Sequence, residues 1–298
     1  MKIRPLLLVT ILLATGAAAA DFETHWRDGK AEISGYRLTV SRYGAPRSGQ
    51  AVLIYVTEPF SESKRVKLDD PARQPGDATE VLKLNLIRQF QTGIYDYHTM
   101  VSVFARTRDF SPLKISFSSA EWCGHAFEEL LFRPGRVEGR TISYFEGESG
   151  SRQLDAPAGG VAEDNLWILL RGLRGAFLPP GESRTLPLLG GLFRGRLAHQ
   201  PATWQPATIM RAKDPVTIKV PAGEFATWVY TVAMGGGRTG TFHIEAAHPQ
   251  RIVRWEFAPD VRAELTGTVR EQYWQLNRIG DEDWLKKLGL NVPAQRGN

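Results

Sequence analysis

The fold of this chain is decided between Thr92 and Phe132, where three strand-like runs follow one another: TGIYDYHTMVSVF (92–104), LKISFSS (113–119) and EWCGHAFEELLF (121–132). Alternating apolar and polar residues, with many β-branched and aromatic side chains, are typical of antiparallel strands. The same stretch contains the single cysteine and two of the six histidines. It is therefore also the first place in which to look for a chemical site.

Strand patterns continue on the N-terminal side of this stretch. The run AVLIYVT (51–57) is rich in β-branched residues, and VLKLNLIRQF (81–90) has leucine at every second position over its first half. Such alternation indicates a half-buried antiparallel strand. An earlier run over 33–40 alternates less regularly, and Gly35 within it predicts a β-bulge.

Residues 149–160 are small and turn-forming, and they predict a boundary between two halves. A short helix is expected directly after it, because residues 163–165 are capping types and Arg171-Gly172 ends the apolar run. Strand patterns separated by turn sequences then predict an antiparallel meander, covering 207–211, 216–220, 225–232, 239–245, 252–257 and 261–276. A short amphipathic helix is expected within 281–290.

These patterns predict an all-β protein. We expect a curved antiparallel sheet, or a half-barrel clamp, built from two β-meander halves with one or two short helices. The N-terminal half is predicted to span 21–150, the C-terminal half 160–278, and a tail with the amphipathic helix 279–298. With 298 residues and 42% apolar content, the chain is long enough to bury a core without disulfide bonds.

Residues 1–20 predict a secretory signal peptide. Lys2 and Arg4 precede an apolar run over 5–16 that is too short to span a bilayer, and the small residues up to Ala20 suit a cleavage site. We expect cleavage after Ala20 and a mature protein in the periplasm or outside the cell. No later segment is apolar enough for a transmembrane helix, so no transmembrane segment is expected after signal removal.

Charge and cysteine content exclude some classes of protein. The net charge of +5 is small, and the cations form no block that would follow phosphates, so no nucleic-acid partner is expected. The single cysteine, Cys123, has no partner for a disulfide bond within the chain. Nothing in the sequence predicts a cofactor.

The C-terminal half contains the motifs Pro179-Pro180-Gly181-Glu182, Val220-Pro221-Ala222-Gly223-Glu224-Phe225 and Arg251-Ile252-Val253-Arg254-Trp255. Through them it resembles, over roughly residues 160–276, a family of uncharacterised exported bacterial β-rich proteins that share a domain of unknown function. The resemblance implies a curved antiparallel sheet or half-barrel in the bacterial envelope. It implies no activity, because none is established for the family.

The N-terminal half is similar to other hypothetical exported proteins, through Ile94-Tyr95-Asp96-Tyr97 and Glu121-Trp122-Cys123-Gly124-His125. Some of these proteins carry a septum-formation (Maf) label. The Maf nucleotide pyrophosphatases use a Ser-x-x-Arg-Arg loop after their first strand, and that loop is absent here. The label therefore implies no pyrophosphatase activity for this chain.

Cys123 and His125 are the first candidates for a reactive site, because a nearby imidazole can activate a thiolate. Residues two apart on one strand share a face with Cβ atoms about 6.5–7 Å apart, a geometry that rarely brings an imidazole within hydrogen-bond reach of the sulfur. The favoured interpretation is a buried, unreactive cysteine beside a hydrogen-bonded histidine. The alternative is a cysteine- and histidine-dependent hydrolase.

Asp96 and His98 have the same spacing on the first of the three strands. If the first and third strands flank the second, Asp96, His98, Cys123 and His125 can face one concave surface, and nitrogen and sulfur ligands suit zinc. Strands separated by one neighbour are about 9.6 Å apart, too far for one ion unless the sheet curls strongly. We therefore predict no metal site and keep a metal-dependent enzyme as an alternative.

Aromatic residues form the other candidate site. We predict ligand contacts on the expected concave face from Tyr95, Tyr97, Trp122, His125, Trp228 and Trp255, although core packing is the ordinary role of such side chains. With no convincing catalytic constellation, the sequence favours a periplasmic non-catalytic binding or envelope-maintenance protein. Its ligand would be an amphipathic small molecule or an envelope protein segment lying in the concave face. A second alternative is a structural protein that pairs with a partner through a sheet edge.

Overall fold

A computed structural model describes residues 22–292 of the chain, so the predicted signal peptide lies outside the described residues. Within them, 16 strands form one sheet. In chain order they are β1 Ala31–Arg42, β2 Ala45–Ser61, β3 Ala78–Thr92, β4 Tyr95–Arg106, β5 Pro112–Glu121, β6 Gly124–Arg133, β7 Arg136–Ser143, β8 Gly150–Asp155, β9 Val161–Ala162, β10 Ser183–Leu189, β11 Trp204–Arg211, β12 Val216–Val220, β13 Gly223–Met234, β14 Thr239–Glu245, β15 Ile252–Ala258 and β16 Val261–Glu271.

The sheet joins the two predicted meanders into one. Its strand order is β8-β7-β6-β5-β4-β3-β2-β1-β16-β15-β14-β13-β11-β10-β9, and β12 pairs with β13. Neighbouring strands are antiparallel, apart from the short parallel pair of β9 and β10. The first strand therefore pairs with the last, and the sheet stays open between β8 and β9. The predicted all-β antiparallel fold is confirmed.

Four short helices accompany the sheet in the described part of the chain: α1 over 22–26, α2 Leu166–Leu169, α3 Leu192–Ala198 and α4 Trp284–Lys287. Of these, α2 and α4 lie within the two predicted helices. The sequence does not predict α1 or α3, because α1 is a single turn and α3 follows two glycines. No helix among the described residues has both the length and the apolar character needed to cross a membrane.

Two strands also differ from the expectation. The predicted boundary segment contains β8, an edge strand with mostly exposed residues and therefore no apolar alternation. The unpredicted β10 contains Pro187, a residue that normally argues against a strand interior, and in the structure it lies opposite Pro206 of β11. The predicted bulge is confirmed by a register shift between Gly35 and Tyr36.

Apart from β9 and β10, which belong to the edge of the sheet, the segment 161–202 packs against one face of the sheet, which we call the inner face. The Tyr55 hydroxyl on β2 donates a 2.9 Å hydrogen bond to the Trp167 carbonyl. The Trp167 ring lies against three aromatic rings on β14 and β15: Phe242, Trp255 and Phe257. One short segment thus contacts strands of both halves, which requires the sheet to curve around it. The inner face is consequently filled by the protein's own side chains, and it does not form the open concavity that the sequence led us to expect.

Two acidic side chains at the start of this segment, Glu163 and Asp164, accept hydrogen bonds from the N-terminus of α3. The backbone N–H of Gly191 donates to Glu163 at 3.2 Å, and that of Leu192 donates to Asp164 at 2.9 Å. The two carboxylates therefore satisfy N–H groups that the start of α3 leaves unpaired. Burial raises the pKa of Asp164 to about 7; the Leu192 N–H opposes this rise, and the negative charge of Glu163 adds to it.

A buried ion pair fixes the same segment to the sheet. Arg171, which follows α2, donates to both carboxylate oxygens of Glu32 on β1, at 2.8 and 3.1 Å, and both side chains are almost fully buried. Arg171 also donates to the carbonyl oxygens of Pro249 and Gln250, each at 2.9 Å. Burial disfavours ionisation of Glu32, but the charge of Arg171 and its hydrogen bonds outweigh it and lower the pKa of Glu32 to about 2.

We expect Arg171→Met to destabilise the folded state by about 3–5 kcal/mol at neutral pH, because it leaves the Glu32 carboxylate buried without its cation. A carboxyl whose pKa is lowered by folding stabilises the protein above its unfolded pKa and loses that contribution as the pH falls. The difference in the free energy of unfolding between wild type and variant should therefore shrink as the pH falls from 4.5, the ordinary pKa of a glutamate carboxyl, towards 2. Urea unfolding at a series of pH values measures this.

The matched control is Arg27→Met, which removes an arginine whose side chain is 49% exposed and pairs with Glu23 and Glu80. Exposed pairs contribute about 0–1 kcal/mol, so this variant should unfold almost like wild type. The assigned role of the ion pair would be contradicted if both variants lost the same free energy of unfolding, or if the loss in Arg171→Met did not depend on pH.

Candidate functional site

The structure confirms that β4 and β6 flank β5, but it does not assemble Asp96, His98, Cys123 and His125 into one site. His98 and Asp96 form a hydrogen bond of 2.7 Å. His98 and His125 each pair with Ala120, so they lie two strands apart, and both are exposed on the face opposite the core. No three His, Cys, Asp or Glu side chains in residues 22–292 are arranged to hold a metal ion.

Cys123 lies in the turn between β5 and β6. The expectation that it is buried is wrong, because its side chain is exposed. Its Sγ contacts the Tyr95 hydroxyl and lies 3.9 Å from Glu121 Oε2. No hydrogen bond joins Cys123 to a histidine within the described residues, so the structure shows no thiolate–imidazole pair.

The predicted aromatic ligand residues are dispersed. Tyr97 and Trp255 are 1% and 0% exposed, so their rings lie in the core. Trp122 is exposed in the same turn as Cys123, with its ring 6.4 Å from that of Tyr95. Trp228 lies far away on β13, under the guanidinium of Arg211. These side chains do not form one surface, and His125 alone among the six predicted residues lines one of the two grooves described next.

A row of mostly apolar side chains crosses the outer face of the sheet, the face opposite the segment 161–202. Cross-strand pairing places one residue from each of β2 to β7 in this row: Val52, Ile87, Met100, Ser118, Phe127 and Ile142. Their neighbours in sequence, such as Leu53, Leu86 and Val101, point into the main core. Ile142 is 52% exposed. Five strand spacings give the row a length of about 24 Å.

The C-terminal segment 273–292, which we call the cap, covers the β1–β16 end of the row. Gly35 and Gly267 lie opposite each other on these two strands. The backbone of Lys287 and Leu288 rests directly on them, and a Cβ atom at either glycine would overlap that backbone. Glycine at both positions therefore allows the cap to approach the sheet this closely.

A groove of about 460 Å³, the capped groove, lies between the cap and the outer face. Its apolar walls come from both sides: Ile33, Val52, Ile54 and Val269 of the sheet, and Tyr273, Trp284, Leu285 and Leu288 of the cap. Polar side chains of the cap also line it: Asn277, Arg278, Asp281 and Glu282. The volume is typical of small-molecule sites, and the mixture of walls suits a ligand with an apolar part and a polar end.

A second groove of about 680 Å³, the open groove, lies over β3 to β7. Its apolar lining continues the row, and it also contains His98 and His125. Val52 of the capped groove and Ile87 of the open groove are cross-strand partners. The two grooves are therefore neighbouring sections of one apolar row, of which only the first is covered by the cap.

Comparisons with known proteins find no relative of this chain whose site could be compared with this one. No protein-family model matches the chain, and searches of the curated proteins and of the solved structures find no match either. The family resemblance suggested by the sequence motifs therefore stays a prediction.

The sequence contains a signal for the outer-face row that strand alternation alone does not explain. Residues 51–57 are apolar at almost every position, whereas a strand with one face in water alternates. Val52 and Ile54 are the additional apolar residues, and both line the capped groove. Isolated glycines within strands, such as Gly35, are a second signal, because they mark close approach of another backbone.

We expect Gly267→Ala to displace the cap, because the new methyl group overlaps the Lys287 backbone. Overpacking of this kind destabilises a protein by about 1–3 kcal/mol. Hydrogen exchange of the amides of residues 284–290 should accelerate in the variant, because these amides lose their protection when the cap leaves the sheet. In Gly76→Ala, where a Cβ meets no atom within 4 Å, exchange should stay as in wild type. Unchanged exchange in Gly267→Ala would contradict the proposed anchoring.

Proposed function

We propose that the protein is a non-catalytic binding protein of the bacterial cell envelope, whose ligand is an amphipathic molecule with an apolar chain. The observation that carries this proposal is the capped groove, with apolar walls on two sides and Arg278, Asp281 and Glu282 along one segment. An apolar chain between these walls is removed from water, which is the main source of affinity for such ligands. A polar head group remains beside the charged residues of the cap.

The row on the outer face supports an elongated ligand. The apolar chain of a ligand that enters between the cap and the sheet contacts Val52 and then Ile87, where the open groove begins. The row continues for about 24 Å in total, which is the span of five strand spacings. Short chains would thus occupy the capped groove, and longer chains would extend towards Ile142.

The envelope location in this proposal rests on the sequence of residues 1–20, which has a positive start, a short apolar run and a small-residue cleavage site. The enzyme alternatives find no support in the geometry, because Cys123 is not paired with a histidine and the two candidate histidines lie on separate strands. Pairing through a sheet edge stays a prediction without a particular observation in its favour.

We expect the purified protein to bind saturated fatty acids with an affinity that rises with chain length. Decanoic, dodecanoic and tetradecanoic acid, each below its critical micelle concentration, are suitable probes for titration calorimetry. Each additional methylene that becomes buried should strengthen binding by about fourfold. Trp284 lines the capped groove, so its fluorescence should change on binding.

Two variants test where the acyl chain of the ligand binds. Leu285→Asp places a charge in the capped groove and should weaken all three acids by about tenfold or more. Met100→Asp alters only the open groove, about two strand spacings from Val52, and should weaken the longest acid most. Met210→Asp changes an apolar residue that is 47% exposed on β11 and serves as the control. The proposal fails if no acid binds, or if Met210→Asp weakens binding as much as Leu285→Asp.

A further inference from the structure

A smaller cavity of about 180 Å³ lies between the inner face of β5 to β7 and the end of α3. Phe117, Ala126 and Thr141 line it from the sheet, and Arg196, His199 and Gln200 line it from the other side. The proposed binding of an amphipathic molecule does not use this cavity. At about 30 Å³ per water molecule, it has the volume of roughly six waters, which is close to that of a single sugar ring.

The imidazole at this cavity has a defined proton position. His199 Nδ1 lies 2.6 Å from Glu148 Oε1, and the Ser143 hydroxyl donates to the other Glu148 oxygen at 2.6 Å. Arg196 Nη1 also lies 3.3 Å from the same Nδ1, but a carboxylate can only accept, so the shorter contact with Glu148 places the proton on Nδ1 and leaves the Nε2 atom of a neutral His199 as an acceptor. No side chain in residues 22–292 donates to this Nε2. Burial acts to raise the pKa of Glu148, but the hydrogen bonds from Ser143 and His199 outweigh it and lower the pKa. 

The other charged groups at the cavity are also paired within the protein. Arg152 donates to Glu128 at 2.6 Å. Arg196 lies 3.0 Å from Glu121, with its guanidinium over the Phe145 ring. Each carboxylate thus has a basic partner already. A charged ligand would find no unpaired opposite charge at this cavity, which favours an uncharged one.

The hydrogen-bonding groups that stay available are of mixed type. The side chain of Arg196 is 6% exposed, and its Nε has no hydrogen-bond partner among the described residues. The Thr141 hydroxyl and the Gln200 amide likewise form no side-chain hydrogen bond there, and His199 Nε2 is an acceptor. A buried N–H without an acceptor is unfavourable, so an occupant that supplies one is stabilised. A hydroxyl group both donates and accepts, and it therefore matches this set.

From this arrangement we infer that the cavity binds a small, uncharged polyhydroxylated molecule of the size of one sugar ring. Its hydroxyl groups bond to Arg196 Nε, His199 Nε2 and the Thr141 hydroxyl. Its C–H face lies against the apolar side chains of Phe117 and Ala126. This inference does not depend on the proposed binding of an amphipathic molecule, because the two sites face opposite sides of the sheet.

The test uses methyl α-D-glucopyranoside, N-acetyl-D-glucosamine and myo-inositol as uncharged probes, with D-glucuronate as the charged comparison. Saturation-transfer NMR and titration calorimetry at millimolar concentration measure binding to the purified protein. We expect at least one uncharged probe to bind, and glucuronate to bind at least tenfold more weakly than that probe. If none of the uncharged probes binds, or if glucuronate binds as tightly, the inference is wrong.

Variants assign the binding to the cavity. Thr141→Val keeps the side-chain shape and removes one hydroxyl, so affinity should fall about fivefold to tenfold. Thr141→Trp fills the cavity and should abolish binding. Thr239→Val, at an exposed position on β14, is the matched control and should bind like wild type. Unfolding curves identify any variant that does not fold. If Thr141→Trp does not fold, the affinity of Thr141→Val still tests whether the probe binds in the cavity. Unchanged affinity in Thr141→Val would overturn the assignment.

Discussion

The buried ion pair between Arg171 and Glu32 fixes the segment that covers the inner face of the sheet, and the rest of the structure depends on that cover. A sheet of 16 strands exposes a wide apolar face, which is stable in water only when another layer packs on it. The segment 161–202, outside its strands β9 and β10, is that layer, and Arg171 ties it both to β1 and to the β14–β15 turn through the Pro249 and Gln250 carbonyls. Buried ion pairs add little net stability when complete, but they are costly when one partner is missing. The pair therefore specifies where the segment lies more than it strengthens the fold.

Features encoded within a few residues could be predicted from the sequence. The alternation of Leu82, Leu84 and Leu86 predicted β3 and its buried face, Gly35 predicted a bulge, and the residue types at 163–165 predicted the start of a helix. The placement of the segment 161–202 could not be predicted, because it is set by contacts between distant residues. Arg171 and Glu32 are separated by 139 positions, and Trp167 and Tyr55 by 112. Local strand and helix patterns do not show which of many apolar surfaces such a segment will cover.

The candidate site likewise combines features that the sequence predicted with features that depend on contacts between distant residues. Sequence reasoning placed His98 and His125 two strands apart, as the structure does, but assigned them to a concave face instead of the outer face. The apolar row was not predicted, because each strand contributes one residue to it and only the register brings those residues together. Gly35 illustrates the limit: the residue was recognised as a bulge, but its partner Gly267 and the backbone that rests on both glycines lie at the other end of the chain.

Filling the inner face also determines what kind of ligand each face can accept. The segment 161–202 leaves a small cavity near its end, where α3 stops at His199 in the left-handed conformation, and the lining there is polar and internally charge-paired. The outer face keeps the long apolar row, covered over part of its length by the cap. These differences are the basis for proposing an elongated apolar chain as the ligand of the outer face and a compact hydroxylated molecule as the ligand of the inner cavity. Ala126 and Phe127 are neighbours on β6 and border both the inner cavity and the open groove. Because their side chains project from opposite faces of one strand, β6 is the element that separates the inner cavity from the open groove.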